Sequence, residues 1–437
     1  GRFSEHDETS LKGGKARGQL KYKISDDSSA SLDGGVVDSK GEQFIQAPDV
    51  LVDNYEGYIK ANYNYSSLKA QAFWRSRRLR FDIVNSFLLP SFLKLDPAWL
   101  DYDIYDVEAQ HLFKLGNFGN IMAGLNYRLV TLSSNYAKSK DVNLYAGFLQ
   151  YELKPIQSLI LNAGLRLDKQ DYMKLNTSPR GAVIFTPVKN HAIRASISTA
   201  FRNPTFVDLY SDVTVSIPPP FAMGITVTGN EELKPERIIS YDLGYHTAFF
   251  QRLKATLDLF YYEMSDFIRT WAGQYVTEDN RWTFRKSINM GTARGTGGEI
   301  GFEYLITSWL KGLFNYSYQR ITDQDGMEIE YNPTNKFNIG ARLKVNGLSA
   351  NILAHYVGPT KKEYTESTFP ITMRVAELKS YVLLNARVGY SFLNERMEIA
   401  LSGQNLLNYE NYKGKLYNFP FADPIPLMLF GTINVKF

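Results

Sequence analysis

Along most of the chain, hydrophobic and polar residues alternate with a period of two in segments of roughly ten residues, the spacing of strands that wet one face and not the other. In Gly229–Tyr245, GNEELKPERIISYDLGY, a polar turn with a proline leads into such a segment. Ile239, Tyr241, Leu243 and Tyr245 share one face, and Ser240, Asp242, Gly244 and His246 share the other. Ala16, Gly18, Leu20, Tyr22 and Ile24 oppose Lys15, Arg17, Gln19, Lys21 and Lys23 in the same way. Leu159, Leu161, Ala163, Leu165 and Leu167 oppose Asn162, Gly164, Arg166 and Asp168. Val382, Leu384, Ala386, Val388 and Tyr390 oppose Asn385, Arg387, Gly389 and Ser391. No amphipathic helix of several turns is predicted. No run reaches the ~18 consecutive apolar residues of a spanning helix, and the most apolar short stretch, Phe87–Pro90, ends in proline.

Two architectures fit alternating strands: a soluble sandwich and the wall of a membrane barrel. Sandwich strands are usually shorter, about five or six residues. Here the polar faces carry many small residues, and the apolar faces often end in aromatics such as Tyr63/Tyr65, Tyr316/Tyr318 and Tyr390/Phe392. Amphipathic rings favour the lipid–water boundary. The chain is therefore read as all-β, a transmembrane antiparallel up-and-down β-barrel with a lipid-facing outside and a wet lumen.

The connections support this reading. About nineteen strands are predicted, joined by short links near Asp26-Asp27, Ser66-Ser67, Gly116–Phe118, Lys154–Gln157, Pro187–Asn190, Phe250-Gln251, Thr307–Trp309, Asn346-Gly347 and Leu393–Glu395. These alternate strictly with long connections near 39–53, 81–103, 132–141, 169–177, 202–236, 269–296, 321–334, 358–377 and 405–426. Tight turns at one end and extended loops at the other are the outer-membrane pattern. An odd strand count makes the first and last strands run the same way, so closure of an antiparallel barrel requires an odd number of further strands. Residues 1–437 are expected to be a barrel incomplete at its N-terminus, with those strands ahead of Gly1.

Composition narrows the function. Aromatics make up 14% of residues and charged residues 22%, and no Gly/Pro/Ser-rich linker divides the chain. The net charge of +4 is small and scattered, which gives no basis for nucleic-acid binding. The absence of cysteine excludes thiolate metal sites, disulfides and thiol catalysis. The opening GRFSEHDETS lacks the order of a signal peptide.

Four stretches, in order, resemble the TonB-dependent outer-membrane receptor family. Phe201-Arg202-Asn203-Pro204-Thr205 with Asp208-Leu209-Tyr210 resembles that family's F-R-x-P-T…E-L-Y loop opening. Asn230, Leu233-Lys234-Pro235-Glu236 and Tyr241-Asp242-Leu243-Gly244 are similar to its N-x-x-L-K-P-E…Y-E-x-G stretch. Asn289–Arg294, which includes Gly291, resembles with Gly298-Glu299 its N-x-G-x-A-x-x-x-G-x-E strand. Gly403–Asn408, with Asn405, resembles the N-L-x-N/D ending of the penultimate strand, and the terminal Phe437 looks like the signal read by barrel-assembly machinery.

The resemblance implies a monomeric barrel of about twenty-two strands with a plugged lumen, in the outer membrane of a Gram-negative bacterium and surrounded by its lipid. It places about three strands, the plug domain and the contact for TonB and its ExbB–ExbD motor partners upstream. It also implies active import of a scarce small-molecule ligand: a ferric siderophore or similar chelate first, with cobalamin, sugars or peptides as alternatives. Pro204 and Pro235 stand where pairing stops, because proline cannot donate to a ladder. Gly295, Gly297 and Gly298 are expected to allow a bulge or bend, and Glu299 and Glu303 to face the lumen.

Candidate chemistry is sparse. His6, His111, His191, His246 and His355 lack metal-ligand spacing, so no metal site and no cofactor are expected. Gly291–Gly297 lacks the Gly-Lys-Ser/Thr ending of a phosphate loop. Asp323-Gln324-Asp325-Gly326 covers only the start of a calcium loop, and a solvated acidic turn is favoured. The long connections are the better place to look. Tyr210 and Phe221 in one, and Arg269, Trp271, Tyr275, Arg281 and Trp282 in another, suit capture of an organic, often anionic ligand. Two rival readings stay open. One is a passive porin; the other is a barrel hydrolase with a rim site at His355 beside Asp323 and Asp325. A transporter rather than an enzyme is expected.

Overall fold

The computed structural model describes residues 12–44, 49–85, 98–216, 224–250, 252–270, 275–278, 281–285, 287–329, 332–368, 371–407 and 427–435. Nineteen strands, from Lys12–Lys23 to Met428–Val435, form one sheet. Each pairs antiparallel with the next sheet strand along the chain. The strand count and the up-and-down order match those predicted. Among the described residues, the first and last strands pair along one edge only.

Alternation decides which way each side chain points. Leu20, Leu32, Ile59, Tyr63, Val107, Leu125, Leu149, Tyr241, Leu243, Val388 and Ile433 stand exposed on the outer face, with Leu125 at 72%. On the strand Asn120–Ser134 the outward run from Ile121 to Leu129 climbs about 20 Å at ~3.3 Å per residue and ~45° tilt, close to the height of a hydrocarbon band. Its upper margin carries Trp74, Tyr105, Tyr127 and Tyr145, all exposed. The inner face is polar and internally bonded. Arg17 and Tyr58 both donate to Asp33, at 2.7 Å each, across three strands. Arg128 and Asn126 donate to Asp106 at 2.8 and 3.2 Å.

Above the aromatic margin the outward face changes character. Arg78 pairs there with Asp103 at 3.1 Å, Arg80 with Asp101 at 2.5 Å and Arg294 with Glu263 at 3.1 Å. The strands thus run on past the apolar band. Several connections read as long loops are consequently mostly strand. Pairing continues from Ser39↔Asn54 to Phe44↔Asp49, and Thr360–Thr368 pairs with Ile371–Leu378 as a separate hairpin. Once both faces are wet, the side-chain pattern no longer marks a strand, but backbone N–H and C=O groups still need partners.

The opposite ends of the strands turn tightly. Asn346 (φ 46°) and Gly347 (φ 82°) give the two-residue turn that matches strand twist. A correction concerns Gly295 and Gly297. The ladder runs through both without a shift, so they make no bulge. A side chain at either would strike the ring of Tyr262 or Phe260, which lies flat against the wall. The glycines are seats for inward aromatics. Glu303 faces inward, paired with Lys311, and Glu299 accepts from Ser317 Oγ at 3.2 Å.

Candidate functional site

The family-like stretches converge at the long-loop end of the strands His191–Arg202, Glu236–Phe249, Leu253–Thr270 and Ser287–Leu305. Past Arg202 and the buried Pro204 comes a single helical turn, Phe206–Tyr210. Thr205 caps it: its Oγ1 accepts from Asp208 N at 3.2 Å, while Asp208 Oδ2 accepts from Thr205 N at 3.0 Å. The turn buries Leu209 and Tyr210 against Met173, Leu233 and Ile268, with Phe206 packed alongside.

Polar bonds lock this cluster. Arg202 donates Nε and Nη2 to Glu236 at 2.5 and 2.7 Å, a two-pronged charged pair. Glu236 Oε1 also accepts from Ile268 N at 2.7 Å. Ser287, fully buried, donates Oγ to Asp208 Oδ1 at 2.8 Å, and its carbonyl accepts from Asn230 Nδ2 at 3.1 Å. Asn289 accepts from Lys234 N at 2.8 Å and donates to the carbonyls of Lys234 and Asp266 at 3.0 and 2.7 Å. At Gly229 any side chain would overlap the backbone between Leu209 and Tyr210. Lys138 and Glu231 pair at 2.9 Å, which raises the lysine pKa. Burial, followed by the nearby charges of Glu231 and Tyr172, raises that of the Tyr210 hydroxyl.

Beyond the knot the two connections share a second sheet. Its strand order is Asp212–Ser216, Gly224–Thr228, Arg281–Arg285, Tyr275–Glu278, and the central pair, Ile225↔Trp282 to Thr228↔Arg285, is parallel. Tyr275, Arg281 and Trp282 lie on this sheet, and Arg269 lies near the end of a barrel strand. Phe221 and Trp271 lie outside the described residues, as does Phe437. Tyr210 differs from the expectation of a ligand-facing ring. It is only 4% exposed, and Lys140 sits over it at 5.0 Å.

The motif residues act as joints. Phe201, Arg202, Asn230, Leu233, Pro235, Glu236 and Gly291 belong to the knot or flank it, and Gly291 takes a left-handed φ of 23°. Glu299 lies further down the lumen wall. Asn405, also left-handed at φ 51°, ends its strand with its N–H on Asn385 Oδ1 at 3.0 Å. Ser287 and Met173 were not singled out in the sequence, and Asp208 stood there only as part of the family-like loop opening. Only the Thr205–Asp208 cap carried a local signal.

The catalytic alternative is not assembled around His355. Its Nδ1 meets Asn338 Oδ1 at 2.5 Å, and Asp323 Oδ1 accepts the N–H groups of Asp325 and Met327 at 3.0 and 2.9 Å. That carboxylate closes the turn. Among the described residues no cluster of His, Asp and Glu is arranged to hold a metal ion.

An apolar belt outside, a bonded polar lumen and a knot of loops at one end define a transmembrane β-barrel of the receptor type. The family "TonB dependent receptor-like, beta-barrel" matches residues 5–406, and the chain belongs to that family. The curated proteins contain no match. Among solved structures it resembles the siderophore receptor PirA from Acinetobacter baumannii (TM-score 0.78, 14% identity, 98% of this chain and 71% of that one). It also resembles a mutant of the ferric enterobactin receptor PfeA from Pseudomonas aeruginosa (0.77, 15%, 97% and 69%). A third is the FrpB iron transporter from Neisseria meningitidis (0.76, 13%, 97% and 72%).

Proposed function

We propose that this chain is most of the barrel of an outer-membrane active transporter that imports a scarce ligand, a ferric siderophore or a similar metal chelate, with energy supplied through TonB. The observation that carries this reading is the knot. It fixes the roots of two long connections, so the surface they present is held in shape instead of collapsing into the mouth. Membership of the TonB-dependent receptor family and the resemblance to siderophore and iron receptors support the cargo class. A lumen closed by about three further strands and filled by a plug fits the two sheet edges that have no partner among the described residues.

The test is uptake. Cells making the full-length protein as their sole receptor, starved of iron, are given radiolabelled ferric enterobactin and other ferric chelates in turn. One of them is expected to accumulate, and dissipating the proton gradient is expected to stop it. Uptake that survives loss of the gradient points to the porin reading. No uptake of any ferric chelate removes iron from the proposal. An unaltered chelate in the medium after prolonged incubation with purified protein is the outcome expected of a transporter that does no hydrolysis.

A further inference from the structure

The short turns that join neighbouring strands are of two kinds. Five of them follow one another along the sheet, at 114–119, 154–158, 186–190, 249–252 and 306–309. Each holds out one large apolar side chain, Phe118, Ile156, Val188, Phe250 or Trp309, all exposed. Four of the five add an exposed cation, Lys114, Lys154, Lys189 or Arg252, and the sequence of all five lacks Asp and Glu. Among the described residues no carboxylate pairs with these four cations. The turns on either side of this arc differ. Asp26-Asp27, Ser66-Ser67 and Asn346-Gly347 are polar, and the last turn sets Leu393 beside Glu395 and Arg396.

Water does not favour the arrangement in the arc. Phe250 is 93% exposed and has a left-handed φ of 48°, at the position where the Asn346-Gly347 turn uses asparagine (φ 46°). A bulky residue is rarely found there, and a bare ring in water gains nothing that offsets the strain. A lipid headgroup layer supplies what is missing, because rings and aliphatic tips enter it while flanking lysines and arginines meet its phosphates. Distance allows it. Phe118 lies three residues below Ile121, the lowest outward residue of the strand Asn120–Ser134, hence at most ~7 Å lower at ~3.3 Å per residue and ~45° tilt. The headgroup layer is about 5–8 Å deep, so the turns continue the apolar belt into it without a gap.

We infer that the five turns form a docking surface for anionic phospholipid headgroups, which draws this side of the barrel deeper into the membrane than the side bearing Ser66-Ser67. This rests on the apolar belt meeting lipid and is independent of what the barrel carries. The chain has no cysteine, so single cysteines can carry an environment-sensitive fluorophore in the vesicle-inserted protein. Labels go at Phe118→Cys and Val188→Cys in the arc, Ser67→Cys outside it and Leu125→Cys at mid-belt. In phosphatidylcholine vesicles containing phosphatidylglycerol, a quencher carried on lipid is expected to act about two-fold or more strongly at 118 and 188 than at 67. Leaving out phosphatidylglycerol, or combining the arc labels with Lys154→Gln, Lys189→Gln and Arg252→Gln, is expected to lower quenching at both positions toward that at 67. A label at 125 that lipid quenches, beside arc labels open to aqueous acrylamide, would overturn the docking surface alone. Equal lipid quenching at 67, 118 and 188 would overturn the lean toward the arc, and quenching unaffected by phosphatidylglycerol would overturn the anionic preference. A label at 125 open to acrylamide would overturn the lipid-facing belt as well.

Discussion

Glu236 binds three separate pieces of chain: Arg202 before the first helical turn, its own strand, and the Ile268 backbone N–H. Glu236→Gln preserves its size but removes the charge that makes the arginine bonds strong. A loss of about 1–3 kcal/mol is expected, read as faster amide exchange at the strand ends around Arg202 and Ile268. Unchanged exchange there would mean that packing alone holds the joint. Gly229→Ala attacks the same cluster sterically, with about 1–3 kcal/mol expected from overpacking. Its readout is earlier protease cleavage between Ser211 and Gly229. Tyr210 shows why sequence reading stopped short at this scale. An aromatic among polar neighbours looks exposed, and its burial depends on Met173, Leu233 and Ile268, which come from three other segments.

At the scale of the strand, depth along the barrel decides what a substitution costs. Leu125→Arg, at mid-belt, is expected to destabilise by about 2–4 kcal/mol, and Thr131→Arg, above the aromatic margin on the same strand and face, by about 0–1. Urea titration of the vesicle-inserted protein separates the two. Equal costs would mean that the apolar face does not meet hydrocarbon. The belt was legible because a period of two survives wherever one face meets lipid. The strand ends were not legible. Pairing between Ser39–Phe44 and Asp49–Asn54 continues where both faces are wet, and no alternation remains to mark it. Glycine was misread for a related reason. A gap in the pattern at Gly295 and Gly297 looks like a break, yet cross-strand rings from Tyr262 and Phe260 fill it.

For the whole molecule, the antiparallel order of the nineteen described sheet strands makes the first and last run the same way, so their two edges cannot pair antiparallel with each other. Exposed edges are templates for other chains. Residues 1–437 are therefore expected to associate in detergent, which light scattering after size exclusion measures. A monodisperse, monomeric 1–437 would mean that the edges are protected by a route absent from the described residues. Fold, strand order and the family motifs were readable along the chain. The joining of two connections into a second sheet was not, because its parallel pair Ile225–Thr228 with Trp282–Arg285 depends on partners more than fifty residues apart.

That parallel pair also bears on assembly in time. Sheet strands meet neighbours that are close in sequence, so each hairpin can zip onto the one before it. The segments Gly224–Thr228 and Arg281–Arg285 must wait until the intervening barrel hairpin has formed. Contacts that close a long span form late. In refolding, hydrogen-exchange protection at Ile225–Thr228 is expected to lag behind that at Tyr241–Tyr245, which makes the mouth the last region to mature.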